Sequence, residues 1–524
     1  MKVNQLKAGV LLGYAGMAVT NIVSLVYTPV MLRLLGQSEY GLYQMVCSVV
    51  SYLGLLNFGF NNAYLRFYSR YRKENAEDEI AGLNGMFLTA FALMSGTAFV
   101  CGMFLSFHAG VMFSGDADPA QIRTASILCV LMTVNLALVF PNGLFEAYAS
   151  AHEQYIFQRI LSISQSVLNP LLTLPLLLAG YKSVSLILVQ TFLTVCKLCV
   201  NVWFCRSRLK MRFSFRRMQR KVMGEISVFS FYIFLNMLVD QINWNVGKLI
   251  TGRIIGTAAA AVFSVASQLN QYFINLSTAV SNVFLPRVNF IAAREEADME
   301  EKLTGLLASV GRIQCLILFY ILGGFVILGR YFIRIWAGAG YEEAYGAALL
   351  LICPVFIPLI QNLGIEIQRA LNKHRFRSFL YIGIAGANLL MSIPLTMAFG
   401  VKGAAMGTCV SLLIGNGLIM NLYNHFRVGL DMVYFWKQIL RLLLPGAGAL
   451  VPGMALGAYL TVDSPAEFIL AGAGYSLAYA VLEWRFGLND REKRLVAEPL
   501  SKVLNRMRVR VEKTKGKQKD SIKL

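Results

Sequence analysis

Charged residues are scarce in this chain. Lys, Arg, Asp and Glu make up 15% of its 524 residues, while 56% of the residues are hydrophobic. A soluble protein of this size carries about 25% charged residues, so this shortage excludes the soluble globular class. We therefore expect an all-α polytopic membrane protein.

Metal-binding and disulfide patterns are also missing. The nine cysteines lie within or at the edge of apolar stretches, and the four histidines stand singly near the ends of such stretches. Cys196 and Cys199 form a C-x-x-C pair inside an apolar stretch with no second pair, so we interpret them as packing residues. The sequence predicts no disulfide framework, no metal site and no bound cofactor.

Apolar windows of about 20 residues predict transmembrane helices. The first follows Lys2 and Lys7, but it is too long for a signal peptide and lacks a small-residue cleavage site, so we expect it to be retained. We expect about 14 spans, near 9–32, 40–60, 82–107, 122–145, 160–180, 183–205, 226–250, 258–285, 303–329, 346–365, 379–399, 402–424, 437–460 and 465–483.

Lysine and arginine predict how these spans are oriented. If both termini are cytoplasmic, the cytoplasmic segments hold 38 of these residues and the external segments hold 7. This asymmetry favours cytoplasmic termini and largely explains the net charge of +20. We expect the basic segments to attract anionic membrane lipids rather than nucleic acid, and the Lys-rich end KTKGKQKDSIK to be disordered.

The chain repeats itself at a spacing of about 220 residues. We interpret the repeat as two pseudo-symmetric six-helix lobes, 1–205 and 226–424, joined by a basic linker at 206–225. An extra helix pair at 425–483 and a basic cytoplasmic tail at 484–524 follow. Six helices per lobe make the repeats parallel, an arrangement that alternating-access transporters use, with a site between the lobes. The matching residues include Gly36 and Gly256, Asn62 and Asn282, Glu146 and Glu366, Asn169 and Asn388, and Gly180 and Gly400.

Polar residues inside the spans are the candidate site residues. Asp240 lies near the middle of its span, where a carboxylate is costly and marks a functional site, and it shares a helical stripe with Asn236 and Asn243. The alternative is that polar stripes join helices by hydrogen bonds and that the cations are paired or reach the interface. The other candidates are Gln268, Gln271 and Asn275 in the eighth span, Gln44 and Ser48 in the second, and the cations Arg66, Lys197 and Arg312.

Three stretches carry a family resemblance: TPVMLRLLGQSEYGLYQMVCSVVSYLGLLNFGFNNAYLRFYSRY, DQINWNVGKLITGRIIGTAAAAVFSVASQL and VFLPRVNFIAAREE. The chain resembles the polysaccharide transporter family, the lipid-linked oligosaccharide flippases of the multidrug and oligosaccharidyl-lipid exporter superfamily. The resemblance implies a bacterial flippase with a central cavity walled by spans 1, 2, 7 and 8. Glu39 and Gly41 have no counterparts in the second repeat. Residues at family-like positions are Arg33, Gly36, Glu39, Gly41, Arg66, Asp240, Arg253 and Gly256.

The implied cargo is an undecaprenyl-diphosphate-linked oligosaccharide used for cell-surface polysaccharide synthesis. Amide side chains such as Gln268, Gln271 and Asn275 suit its sugars, and Lys197, Arg312 and Arg66 suit its phosphates. We expect Asp240 to couple transport to a proton or a sodium ion. The expected partners are the lipid-linked glycan, glycosyltransferases and a polysaccharide polymerase, and we expect a monomer in the bacterial cytoplasmic membrane.

Other functions stay open. A cation-coupled drug exporter of the same superfamily would use Asp240 as a counter-ion, and a peptidoglycan lipid-precursor or sporulation-type flippase would also have fourteen spans. A membrane glycosyltransferase or polymerase would need catalytic groups in a sizeable external loop. The largest external segments, 108–121 and 330–345, are short, so we expect that the protein is not an enzyme.

Overall fold

The computed structural model describes residues 5–74, 76–110, 118–215, 220–294, 298–373, 375–459, 464–494 and 497. These residues are almost entirely helical, and no strand occurs among them. The helices are α1 (Gln5–Leu35), α2 (Gln37–Leu53), α3 (Phe60–Lys73), α4 (Glu77–Phe107), α5 (Pro119–Ala151), α6 (Tyr155–Leu178), α7 (Lys182–Ser207), α8 (Arg220–Ile254), α9 (Thr257–Ala292), α10 (Met299–Trp336), α11 (Ala344–Ile360), α12 (Asn362–Ala370), α13 (Arg375–Phe399), α14 (Val401–Val428), α15 (Met432–Tyr459) and α16 (Pro465–Gly487).

Ten of these segments are long and apolar enough to cross a membrane, with α2 and α3 forming one of them. The bent pair α11 and α12, with an angle of 43° between them, makes an eleventh. Helices α8, α9 and α15 run alongside them over 35, 36 and 28 residues. Each of these three helices is longer than the roughly 20 residues that a span needs. The chain is an all-α, multi-pass membrane protein.

The neighbours of each helix correspond in the N-terminal half (α1–α7) and the C-terminal half (α8–α14). Helix α1 packs against α6 as α8 packs against α13, and α5 packs between α4 and α7 as α11 packs between α10 and α14. The extra helices α15 and α16 pack against α10. The division of the chain into two lobes stays a prediction.

The repeated glycines occupy equivalent turns. Gly36 and Gly256 follow α1 and α8 with φ of +76° and +129°, and Gly180 and Gly400 precede α7 and α14 with φ of +90° and +64°. Residues with a Cβ rarely adopt this conformation, so each turn favours glycine. All four turns lie at one end of the helix bundle, which we call the Gly36 end. The opposite end, where α3 meets α4 and α7 leads to α8, is the basic end.

Several predicted boundaries are wrong because helices continue past the apolar windows. Helix α3 runs to Lys73 through a predicted loop, and α8 begins at Arg220 inside the predicted linker. The described part of the linker is held against α4, where Asn84 Nδ2 donates to the Arg212 carbonyl (2.8 Å) and Ser214 N donates to the Ala81 carbonyl (2.9 Å). At the other end of the chain the residues up to 494 pack against the bundle. The predicted disordered segment KTKGKQKDSIK lies outside the described residues.

Candidate functional site

The two halves meet most extensively where α2 packs against α9, and two seams flank that contact. The first seam lies between α1 and α9, and the second lies between α2, with α3, and α8. In the repeat, α8 is the counterpart of α1, and α9 is the counterpart of α2. The contact of α1 with α9 and the contact of α2 with α8 are therefore equivalent. Polar side chains line both of them inside otherwise apolar helices.

In the first seam, amide groups of α9 reach hydroxyl and amide groups of α1. Gln268 Nε2 donates to Thr28 Oγ1 (2.8 Å) and Tyr272 Oη (2.9 Å), and Asn275 Nδ2 donates to Asn21 Oδ1 (3.2 Å). Gln268, Tyr272 and Asn275 are four and three residues apart, so they share one helical face. That face of α9 is directed at α1.

The second seam has the same construction. Ser51 Oγ on α2 donates to Gln241 Oε1 on α8 (3.1 Å), and Asn245 Nδ2 also donates to Gln241 Oε1. Lys248 Nζ donates to Asn245 Oδ1 at 3.4 Å, which is a weak contact for an ammonium group. Among the described residues no carboxylate forms an ion pair with Lys248.

The spacing of 220 residues relates these side chains to one another. Asn21 matches Gln241, Tyr52 matches Tyr272, and Thr28 matches Lys248. Lys248 therefore lies at the same depth as Thr28 and is the charged member of the set. We call this set the seam belt; it comprises Asn21, Ser24, Thr28, Gln44, Ser51, Gln241, Asn245, Lys248, Gln268, Tyr272 and Asn275.

The second seam is packed along its length. Gly252 on α8 faces Met45 on α2, since a Cβ at Gly252 would lie 2.2 Å from the Met45 sulfur. Further toward the basic end, the Phe58 and Phe234 rings are 5.0 Å apart. At the basic end itself, Arg70 and Glu225 are 3.8 Å apart on the exposed surface.

The first seam borders a cavity of about 610 Å³ between α1, α9, α10 and α16. Asn21, Tyr272 and Asn275 of the seam belt form a polar edge of this cavity. The rest of its wall is mainly hydrocarbon and aromatic rings, so the space suits a ligand that is apolar over most of its length. The apolar lining includes Met17, Leu25, Phe273, Phe325, Phe332 and Phe468.

Several predicted site residues do lie at the seams. Gln268 and Asn275 are in the first seam, and Gln271 Nε2 donates to Asn275 Oδ1 (3.0 Å). Gln44 Nε2 donates to Tyr40 Oη (2.9 Å), while the hydroxyl of Ser48 is buried and donates to the Gln44 carbonyl (2.8 Å). Whether any of them touches a substrate stays a prediction.

The polar stripe of α8 that contains Asp240 lies away from the two seams. Asn243 is buried, and Gly247 on the same stripe faces Phe263 of α9, so this side of α8 is turned toward its own half. Asn236 and Asp240 are exposed, and the charged group that acts on Asp240 is Arg377 of α13. The side of α8 that faces α2 carries Gln241, one residue and about 100° away. The stripe of Asn236, Asp240 and Asn243 therefore does not face α2, and whether it binds a substrate stays a prediction.

Two of the predicted phosphate-binding cations, Lys197 and Arg312, form ion pairs with carboxylates. Lys197 pairs with Glu146 (2.6 Å), which also accepts a hydrogen bond from Asn142. Arg312 is 4% exposed and binds Glu492 through two hydrogen bonds of 2.6 and 2.7 Å. That guanidinium is enclosed and bound to a carboxylate, and whether Arg312 binds a phosphate stays a prediction. Arg66 is exposed on α3.

Sequence reasoning missed the polar residues of α1 and the seam face of α8. Asn21, Ser24 and Thr28 are small polar residues in a long apolar helix, and each alone is unremarkable in a membrane span. The repeat could have identified these residues, because a shift of 220 residues places Asn21 on Gln241 and Ser51 on Gln271. Comparing the polar residues of both copies would have found both seams.

A sequence model of the polysaccharide biosynthesis proteins matches residues 6–289, more than half of the chain. The chain belongs to the polysaccharide biosynthesis protein family. The matched region contains the whole seam belt. A search of the curated proteins found no match.

Several solved structures of membrane transporters share the fold of this chain. The lipid II flippase MurJ in an inward closed conformation is 14% identical, with a TM-score of 0.73 over 90% of this chain and 98% of that chain. An inward-facing multidrug resistance MATE family transporter of the MOP superfamily is 11% identical, with a TM-score of 0.63 over 79% and 94%. The MATE multidrug transporter DinF-BH is 15% identical, with a TM-score of 0.59 over 82% and 96%. The fold is therefore that of polytopic flippases and transporters.

Proposed function

We propose that this protein is a flippase that moves an undecaprenyl-diphosphate-linked oligosaccharide across the bacterial cytoplasmic membrane for cell-surface polysaccharide synthesis. The observation that carries the proposal is the cavity of about 610 Å³ with apolar walls and a polar edge on the seam belt. A cargo with a long hydrocarbon tail and a polar head matches both parts of this surface.

The chemistry of the cargo explains why such a surface is needed. Sugars and phosphates cannot cross about 30 Å of hydrocarbon without polar partners. The amides and hydroxyls of the seam belt can replace water around the sugars, and Lys248 can bind a phosphate oxygen by a charge-assisted hydrogen bond. The tail needs no such partners and can stay against the apolar wall.

The difference between the closed second seam and the first seam, which borders the cavity, supports a route by which the cargo enters. The second seam is closed by Met45 against Gly252 and by the rings of Phe58 and Phe234, whereas the first seam borders the cavity. Cargo would enter from the inner leaflet beside α1, with both termini and the basic end in the cytoplasm. Rocking of the halves would then exchange the hydrogen bonds across the seams for bonds to the head group.

Asp240 remains our candidate for coupling to a proton or a sodium ion. It lies on α8 near the middle of the span, with Arg377 as its charged neighbour, and a change in its charge would alter the contact between α8 and α13. Asp240→Asn is expected to slow transport that depends on an ion gradient. Transport by that variant at the wild-type rate, with and without a gradient, would remove the coupling role.

The protein would act between the enzymes that build the lipid-linked oligosaccharide and the enzyme that polymerises it. Glycosyltransferases that build sugars onto a lipid diphosphate on the cytoplasmic side would supply the cargo. A polymerase on the outer side would consume it. These enzymes and anionic membrane lipids are the partners that we propose.

The test compares three cargoes in proteoliposomes that contain the purified full-length chain. These are an undecaprenyl-diphosphate-linked oligosaccharide, lipid II and a fluorescent organic cation of the rhodamine class. The first should change leaflets, measured by the loss of its sugars to an enzyme added outside, while the cation should not be extruded. Protein-free vesicles give the background rate.

The other outcomes point to other functions. Movement of lipid II alone would assign the protein to peptidoglycan precursor transport, and extrusion of the cation alone would make it a drug exporter. Elongation of the oligosaccharide without movement would indicate a polymerase. Each of these results would overturn the proposal.

A further inference from the structure

The end of α16 holds a carboxyl group without a partner. Glu483 is 2% exposed, and neither of its side-chain oxygens forms a hydrogen bond with any described residue. An ionised carboxylate that is buried without a partner is costly, so such groups are normally paired, hydrogen-bonded or neutral. Its surroundings decide which of these applies to Glu483.

The cation beside Glu483 is Arg312, which is already bound to another acid. Arg312 on α10 donates to both carboxylate oxygens of Glu492, and it also donates to the carbonyls of Gln438 and Gly487 (2.8 Å each). Glu492 is held in turn by Asn489, since each residue's backbone N–H donates to the other's side chain at 2.9 Å. Glu483 and Glu492 thus both lie beside the Arg312 guanidinium, but only Glu492 forms hydrogen bonds with it.

The space around Glu483 excludes a hydrated metal ion. A Cβ at Gly487 would lie 1.8 Å from Glu483 Oε2, and a Cβ at Gly446 would lie 3.1 Å from Oε1, so two glycines form a tight slot for the carboxyl group. The neighbouring Tyr479 hydroxyl donates its hydrogen to the Leu316 carbonyl (2.9 Å). Its oxygen can therefore only accept a hydrogen bond from Glu483. The slot therefore has room for a proton on the carboxyl group but not for a hydrated metal ion.

We propose that Glu483 is a proton-binding site whose occupancy holds the segment Leu488–Arg494 against the bundle. With the proton bound, the Glu483 O–H donates to the Tyr479 oxygen, and Arg312 stays with Glu492. When the proton passes to water at the basic end, the new carboxylate attracts Arg312 away from Glu492. The segment then loses its anchor.

The other groups around Glu483 are few in the described part of the chain. Helix α10 presents Arg312 and Cys315, α16 presents Tyr475 and Tyr479, and the following segment presents Glu492. Helix α15 contributes Gly446 and the Gln438 carbonyl, which carry no charge. Arg312, Glu492 and Glu483 therefore set the charge balance of this site, which does not depend on the proposed transport function.

The experiment measures hydrogen–deuterium exchange of residues 488–494 in the full-length protein in nanodiscs, corrected for intrinsic exchange. In the wild type, protection should fall as the pH rises from mildly acidic to mildly alkaline. Glu483→Gln keeps the neutral state, so protection should persist across that range, and Glu492→Gln should be unprotected throughout. Asp490→Asn, which changes an exposed acid in the same segment, is the matched control and should follow the wild type.

Infrared spectroscopy gives a second readout that does not depend on the segment. The carbonyl band of a protonated carboxylic acid should be present in the wild type and in Asp490→Asn, and should be reduced in Glu483→Gln. Wild-type exchange that is independent of pH, or an unchanged band in Glu483→Gln, would overturn the proposal. The wild-type titration keeps the test valid if a variant does not fold.

Discussion

A lysine inside a membrane protein normally has an acidic partner, and Lys248 has none among the described residues. It makes the weak 3.4 Å hydrogen bond to Asn245 and lies near Cys47 of α2. A cation without a carboxylate partner can bind an anionic ligand when the second seam opens. Under the proposed function, that ligand is the diphosphate of the cargo, so a single residue would distinguish a phosphorylated lipid from a neutral one.

Replacing Lys248 with methionine should weaken the binding of undecaprenyl diphosphate by roughly ten-fold to a hundred-fold, because hydrogen bonds to charged groups contribute about 1.5–3 kcal/mol. Lys248→Arg should retain much of the affinity. Binding of undecaprenol, which has no phosphate, should not change. Native mass spectrometry of the purified protein with each lipid measures all three.

Lys402→Met is the control for this prediction, because Lys402 is an exposed lysine at the start of α14, away from the seam belt. It should bind undecaprenyl diphosphate like the wild type. Equal losses in Lys248→Met and Lys402→Met would mean that the lipid responds to overall charge and not to the seam.

At the scale of helices, α2 and α9 approach one another at the Gly36 end. A Cβ at Gly41 would lie 1.7 Å from the Thr257 carbonyl oxygen, and Ser38 Oγ lies 2.9 Å from Thr257 Oγ1. This contact explains why the repeat is not symmetric here: glycine is needed on α2, while α9 presents the backbone of Thr257 and the alanines that follow it. The missing counterpart of Gly41 is thus a consequence of packing between the halves.

Gly41→Ala should destabilise the protein, by about 1–3 kcal/mol, because the added methyl group must push α2 away from α9. Gly96→Ala is the matched control, since Gly96 also lies inside a helix but a Cβ there would meet no atom within 4 Å. Thermal unfolding in the same detergent compares the two variants. A melting temperature for Gly41→Ala equal to that of Gly96→Ala would show that the two helices do not approach this closely in the membrane protein.

At the scale of the whole molecule, the sequence predicted the class of fold and the order of the helices. Apolar stretches of about 20 residues indicate the spans, and the repeated glycines mark turns between them. It did not predict which face of α8 meets the other half. Asp240 attracts attention because a charge in a membrane span is costly, but a charge can be accommodated without contact to the other half, as the ion pairs of Lys197 with Glu146 and of Arg312 with Glu492 show. Periodicity identifies a polar stripe, whereas the neighbour of that stripe depends on packing between distant segments.

The last prediction concerns motion of the two halves. If cargo crosses by rocking, joining α2 to α9 at the Gly36 end must stop it, since that end could no longer separate. Ser38 and Thr257 are close enough for a Ser38→Cys, Thr257→Cys pair to form a disulfide without moving the backbone far. Oxidation of this double variant should abolish movement of the lipid-linked oligosaccharide in proteoliposomes, and a reductant should restore it.

The control joins two helices of the same half. The Ser106 and Ser126 hydroxyls each donate to the other residue's carbonyl (3.0 and 3.1 Å) between α4 and α5, so a cysteine pair there should form equally well. That bond leaves the seams free and should not slow transport. Mass spectrometry identifies the bonded pair among the nine native cysteines. Full transport with the bond between residues 38 and 257 completely formed would require a path that does not open at the Gly36 end, and the alternating-access mechanism would then be wrong for this protein.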